Sequence, residues 1–235
     1  YSVNDDNFHL DSGNNVTSGN ANQWKLGQPY GMVIHGDYMY ISDRRSHRIY
    51  RVDLTSNRIY IWSGGGNRTL TPQQVYDGDT AEANSGYSGD GENSGSENVL
   101  FRSPENLVVR TISGVTYMYI LDIGNNVIRR TYLSGQGGGT NTETIIGSGK
   151  YGYSGDNGNA KNASMLFTGN GLTSMVFDSK NNLYVTCFWN IRKIDTNNII
   201  TTIYGGTSNG QFISYSSSIF TGGAAILGGM SLDSQ

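Results

Sequence analysis

The chain is poor in the side chains that cross-link a scaffold or build an active site. It holds one cysteine, Cys187, so no intrachain disulfide can form. Cys187 lies in the apolar run "LYVTCFW" and reads as a small buried hydrophobe. Three histidines, His9, His35 and His47, share no H-x-x-x-H spacing. Charged residues make up 15% of the chain and the formal net charge is −3. Lys and Arg are scattered, so there is no basic footprint for nucleic acid. No apolar run approaches the roughly 18 residues of a membrane span. The nearest, "GGAAILGGM", is short and rich in glycine, so no membrane insertion is expected. No segment keeps a 3.6-residue apolar period for three turns, which leaves nothing for long helices.

What is present is glycine, 33 of 235 residues, together with Asn, Ser, Thr and 16 tyrosines. That mixture marks many short strands joined by turns with special backbone geometry. The chain is long enough to bury a sizeable core without a disulfide or metal. It begins at Tyr1 rather than Met, and reads as a processed product or an excerpt.

Two nearly identical hexapeptides stand out, "GYSGDG" (Gly86 to Gly91) and "GYSGDN" (Gly152 to Asn157). They accompany a larger repeat. "YGMVIHGDYMYISDRRSHRIYRVDLTSNRIYIWSGGG", "ENLVVRTISGVTYMYILDIGNNVIRRTYLSG" continuing through "NTETIIGSG", and "GLTSMVFDSKNNLYVTCFWNIRKIDTNNIITTIYGG" align, with Tyr40, Tyr119 and Tyr184 in register. Each reads as four short β-branched or aromatic runs. In the first these are Met32–His35, Tyr38–Ser42, Ile49–Leu54 and Arg58–Trp62. The turns "HGD" and "LTSN" suit tight hairpins. Four antiparallel strands per unit, repeated, is the sequence form of a β-propeller blade. The apolar faces of such blades, at about 25 cal/mol per Å² buried, supply most of the folding energy when they stack. The hexapeptides then become equivalent connectors. Gly86, Gly89, Gly91, Gly152 and Gly155 give turn geometry, and Asp90 and Asp156 are expected to accept from backbone amides two residues on.

"DRRSHRIYRVD", "DIGNNVIRRTYL" and "WNIRKID" resemble the core of NHL repeats. "GYSGDGENSGSENVLFRSPENL" resembles the connector that precedes such blades. The resemblance covers about three quarters of the chain and implies an all-β, NHL-like propeller of four-stranded antiparallel blades. Cys187 departs from it, standing where Asp43 and Asp122 end their strands, and the third unit is about two residues shorter at that turn. The resemblance also reaches lyases that hold a central metal with histidines from several blades. The second and third units have no corresponding histidines, so no catalytic metal is expected.

The sequence divides into units at residues 26–66, 101–149 and 166–206, within a single domain spanning 1–235. The ends complete a fourth. "GGMSLDSQ" (228–235) reads as an innermost strand at Met230–Asp233, and residues 1–19 supply Tyr1–Asn4, Phe8–Asp11 and Asn15–Ser18 outside it. Closure hides edge strands that otherwise template aggregation. The same strands could pair between neighbouring subunits and build a filament.

Candidate chemistry is thin. "GTSNG" around Ser208 matches G-x-S-x-G, but poor helix material follows it and no histidine lies downstream. Asp77, Asp79, Asp90 and Glu92 place oxygens close in sequence as weak calcium candidates without EF-hand spacing. Asn15, Asn67 and Asn162 head Asn-x-Ser/Thr sequons, the last two in connectors where a glycan reaches solvent. Tyr215, in "ISYSSSIF", could offer an aromatic face to a sugar or a protein. The reading is a non-catalytic, extracellular glycoprotein module for assembly or recognition, carrying N-linked glycans and no other cofactor. Its partner is itself or another extracellular protein or glycan. The alternative is a propeller enzyme, a lyase or hydrolase, that uses the central channel.

Overall fold

The computed structural model describes residues 8–10, 16–64, 85–92, 98–135, 141–169, 173–206 and 212–213. Asn15, Asn67, Asp77, Asp79, Ser208, Tyr215, Tyr1–Asn4 and Met230–Asp233 lie outside them. The chain packs as two compact units. One is Tyr1–Asp122 with Thr131–Glu143, the other Ile123–Arg130 with Thr144–Gln235.

Among the described residues the strands of each sheet pair antiparallel. The first holds β3 (Pro29–His35), β4 (Tyr38–Asp43), β5 (Arg48–Asp53) and β6 (Arg58–Gly64) in chain order. The second holds β7 (Pro104–Ile112), β8 (Val115–Asp122), β9 (Val127–Gly135) and β10 (Thr142–Ile146). The third holds β12 (Met175–Phe177), β13 (Leu183–Thr186), β14 (Asn190–Ile194) and β15 (Ile199–Gly206). Two-residue strands, β11 (Gly158–Asn159) and β16 (Phe212–Ile213), both pair with β15. No α-helix occurs among the described residues. The fold class is the one expected, all-β with four-stranded antiparallel blades of the propeller type.

The outer hairpins close themselves. Asp53 accepts from the amides of Thr55 (2.8 Å) and Ser56 (3.0 Å), and Asn57 takes the left-handed conformation before β6. Asp195, with Asn197, Asn198 and Ile199, repeats the device before β15. A carboxylate that bonds its own turn fixes hairpin register without tertiary help.

β4 shows how period-2 alternation builds the core of the first unit. Tyr40 joins Ile49, Val99, Phe101, Leu107, Met118 and Ile120 in one buried cluster. Ile41, one residue on, joins Trp24, Tyr50, Val52 and Ile59 in another. In the second unit Met165, Phe167, Val185 and Ile200 are buried.

The N-terminal hairpin forms, as β1 (Phe8–Leu10) and β2 (Val16–Asn20), while the strand expected innermost to it, Met230–Asp233, lies outside the described residues. β2 pairs with β6, with Ser18 opposite Tyr60 and Asn20 opposite Arg58, so the hairpin continues the first sheet. Ala21 N–H bonds Asn57 O at 2.9 Å and Arg58 Nη2 bonds Ser18 Oγ at 3.0 Å, which ties the strand to the outer edge of β6.

Candidate functional site

Polar side chains gather at the strand ends. Asp43, fully buried at the end of β4, spends its carboxylate on four backbone amides. Oδ2 accepts from Gly27 (2.6 Å), and Oδ1 from Gln28, Arg45 and Ser46 (each 3.0 Å). It fixes the incoming chain and the outgoing turn together. Asp122 accepts from the amide of Arg102 at 2.7 Å. His47, buried in the same turn as Arg44, accepts the Ser103 amide on Nδ1 at 2.9 Å. That bond requires an unprotonated Nδ1. His35 ends β3, and β1 contains His9. Among the described residues no three His, Cys, Asp or Glu side chains stand close enough to hold a metal.

Cys187 is buried, and burial pushes its thiol up to about 12. At neutral pH it carries no thiolate.

The connectors are equivalent, by a mechanism that differs from the expected one. Tyr87 OH bonds Asp90 Oδ2 at 3.2 Å and Tyr153 OH bonds Asp156 Oδ2 at 2.7 Å. The amides two residues beyond each Asp go to glycine carbonyls, Glu92 to Gly89 and Gly158 to Gly155. With its own turn closed, Asp156 turns to β14 and β15. Oδ1 takes Arg192 Nη2 at 2.7 Å, and Oδ2 takes the Thr202 amide at 3.1 Å. Arg192 is among the most buried side chains and also bonds the carbonyls of Ser154 and Ser164. Burial opposes ionisation of Asp156. The bonds from Tyr153, Arg192 and Thr202 outweigh it and hold the carboxyl below its ordinary range. Gly86, Gly91 and Gly152 lie in these connectors as foreseen, and Asn162 is exposed. Asp90 and Glu92 do not belong to any metal-sized group among the described residues.

A third connector was missed in the sequence. Asn20 and Asn159 each accept from the amide two residues on, and each receives a side-chain bond from a left-handed Asn, Asn57 and Asn198 respectively. The signal was the tripeptide Gly-Asn-Ala, at Gly19–Ala21 and again at Gly158–Ala160. Where the third sheet sets Arg192 against the Ser164 carbonyl, the first sets Tyr50 edge-on to Trp24, ring centres 5.7 Å apart.

One cluster in the first unit is not absorbed by backbone support. Glu105, the second residue of β7, is 1% exposed, and neither carboxyl oxygen has a hydrogen-bond partner among the described residues. Arg44 Nη1 approaches Oε1 to 3.5 Å, and the Arg44 guanidinium lies 5.6 Å from the centre of the Tyr30 ring. Tyr30 is 40% exposed. The backbone beneath is locked. Ser42 Oγ accepts from Gly31 N at 2.9 Å and donates to Glu105 O. Gly31 is required there, because a Cβ would drive into the Glu105 carbonyl. Burial raises the Glu105 carboxyl to about 7, against the opposing pull of Arg44. Sequence reading did not single out Glu105, since nothing local distinguishes a strand glutamate that tertiary packing will bury.

No protein-family model matches the chain, and no curated protein sequence does. Solved structures resemble it weakly. A streptogramin B lyase is 12% identical over 74% of this chain and 39% of its own, with a TM-score of 0.36. A protein of unknown function from Bacteroides thetaiotaomicron VPI-5482 is 14% identical over 80% and 38%, with a TM-score of 0.45. An auxiliary nutrient binding protein from Bacteroides ovatus ATCC 8483 is 12% identical over 88% and 65%, with a TM-score of 0.36. The chain spans less than two thirds of the length of each.

Proposed function

We propose that this chain is an NHL-like propeller module with a non-catalytic role, an extracellular glycoprotein used for assembly or recognition. One observation carries the reading. The side chains best suited to acid–base or nucleophilic chemistry serve the backbone or are sealed off: Asp43 holds four amides, His47 holds Ser103 and Cys187 is buried. Meanwhile Tyr30, Met32 and Ile34, alternate residues of β3, expose large apolar surface of the kind that partners cover. Self-association into a larger polymer is one form of this role. Analytical ultracentrifugation of the secreted chain across a concentration series tests it. Reversible growth of the assembly that Met32→Ser and Ile34→Ser together abolish supports the module. A monodisperse chain that binds neither itself nor an extracellular matrix extract overturns it.

The enzyme reading keeps one specific support, a buried carboxyl titrating near neutral pH at Glu105. Turnover of a lyase or hydrolase substrate that is lost in Glu105→Gln would favour it.

A further inference from the structure

Glu105 and Arg44 leave an unusual inventory. Two carboxyl oxygens, removed from bulk water, have no hydrogen bond among the described residues. The guanidinium beside them, with five N–H donors, has a single approach to Oε1 at 3.5 Å and a ring contact with Tyr30. Such a gap in a native fold calls for an occupant that satisfies both groups. The chemistry narrows the choice. A cation is repelled by Arg44. An anion is repelled once the Glu105 carboxyl ionises, above about 7. An apolar group satisfies neither. A hydroxyl both donates and accepts, so the vicinal hydroxyls of a sugar ring can answer a guanidinium and a carboxyl at once. Tyr30 adds a partly exposed aromatic face beside them, on which the C–H face of a pyranose stacks. Arg44, a quarter exposed and held by that one ion pair and ring contact, is the group that moves to admit the diol.

We infer that Tyr30, Arg44 and Glu105 form a binding subsite for a neutral pyranose, with vicinal hydroxyls held between the guanidinium and the carboxyl and the ring laid on Tyr30. The inference rests on the recognition reading and names its ligand class. Ser42 and Gly31 serve as positioning residues, since they fix the Glu105 backbone against β3.

The test is saturation-transfer NMR on the full chain expressed without glycans, so that its own sugars do not compete. The probes are methyl mannopyranoside, methyl galactopyranoside and methyl glucuronide. Transfer to at least one neutral glycoside is expected. Binding should be at least about tenfold weaker in Arg44→Ala, Tyr30→Ala and Glu105→Gln, and unchanged in Arg45→Ala. Thermal melts accompany each variant. Should Arg44→Ala or Tyr30→Ala unfold, Arg44→Lys and the wild-type guanidinium resonances decide. Lysine loses the planar fork and should bind weakly, and the Arg44 signals should move on adding the neutral glycoside. No transfer in the wild type, preference for the glucuronide, or binding that survives Arg44→Ala and Tyr30→Ala overturns the subsite. A chain that self-associates but binds no glycoside keeps the recognition reading and loses this inference. A chain that does neither loses both.

Discussion

At the scale of single residues, Glu105 makes folding depend on pH in an unusual direction. Its carboxyl stays protonated in the folded chain up to about 7, against an ordinary value of 4.5. Folding therefore takes up a proton between those values. The stabilisation is complete below 4.5 and is lost as pH climbs through 7. Against Glu105→Gln, which cannot ionise, the wild type should lose on the order of 2 kcal/mol across this window, after allowing for Arg44 and nearby water. Urea titrations of both proteins between pH 4.5 and 7.5 give the difference directly, and a constant difference refutes the assignment. Gly31 makes a second case. Its Cβ position is already occupied by the Glu105 carbonyl, with Leu107 N and Ser42 Oγ at 3.0 Å. Gly31→Ala should cost about 1–3 kcal/mol by overpacking, read from the same denaturation curves.

At the scale of elements, two solutions fill one structural position. The third sheet uses a buried Arg192 answered by Asp156, and the first uses Trp24 against Tyr50. Asp156→Ala strands a buried guanidinium and should cost about 3 kcal/mol. Trp24→Ala opens a cavity and should cost about 3–5 kcal/mol. The Asp156 contribution should vanish as pH falls through its depressed value, whereas the aromatic pair has no such dependence. Acid unfolding of the two variants separates them. These elements also mark what was legible in the sequence. The strand runs and the "LTSN" turn could be read because alternation and an Asx turn are local. The role of Asp156 could not be read locally. Whether a carboxylate caps its own turn or reaches a distant arginine depends on which carbonyl closes the turn first, and here Gly155 does. The third connector hid because only Gly-Asn-Ala is shared, with no Tyr-Ser-Gly-Asp beside it. Glu105 hid for a stronger reason. Its burial is made by β3 and Ser42, far away in sequence.

At the scale of the whole molecule, expression through a eukaryotic secretory pathway should add glycan to the exposed Asn162. Intact mass before and after deglycosylation, compared with Asn162→Gln, should show the loss of one glycan. An unchanged mass removes a main support of the extracellular reading. A last consequence follows from Cys187. The chain has no other thiol, and this one sits fully enclosed in the second unit with no thiolate at neutral pH. It is therefore a built-in clock. A thiol-reactive probe can attach only while that unit is open, so the labelling rate in native buffer counts opening events without any engineered tag. Slow labelling that rises with urea in step with the loss of circular dichroism would mean that the second unit opens only by global unfolding. Labelling that outpaces that loss would show the second unit breathing on its own.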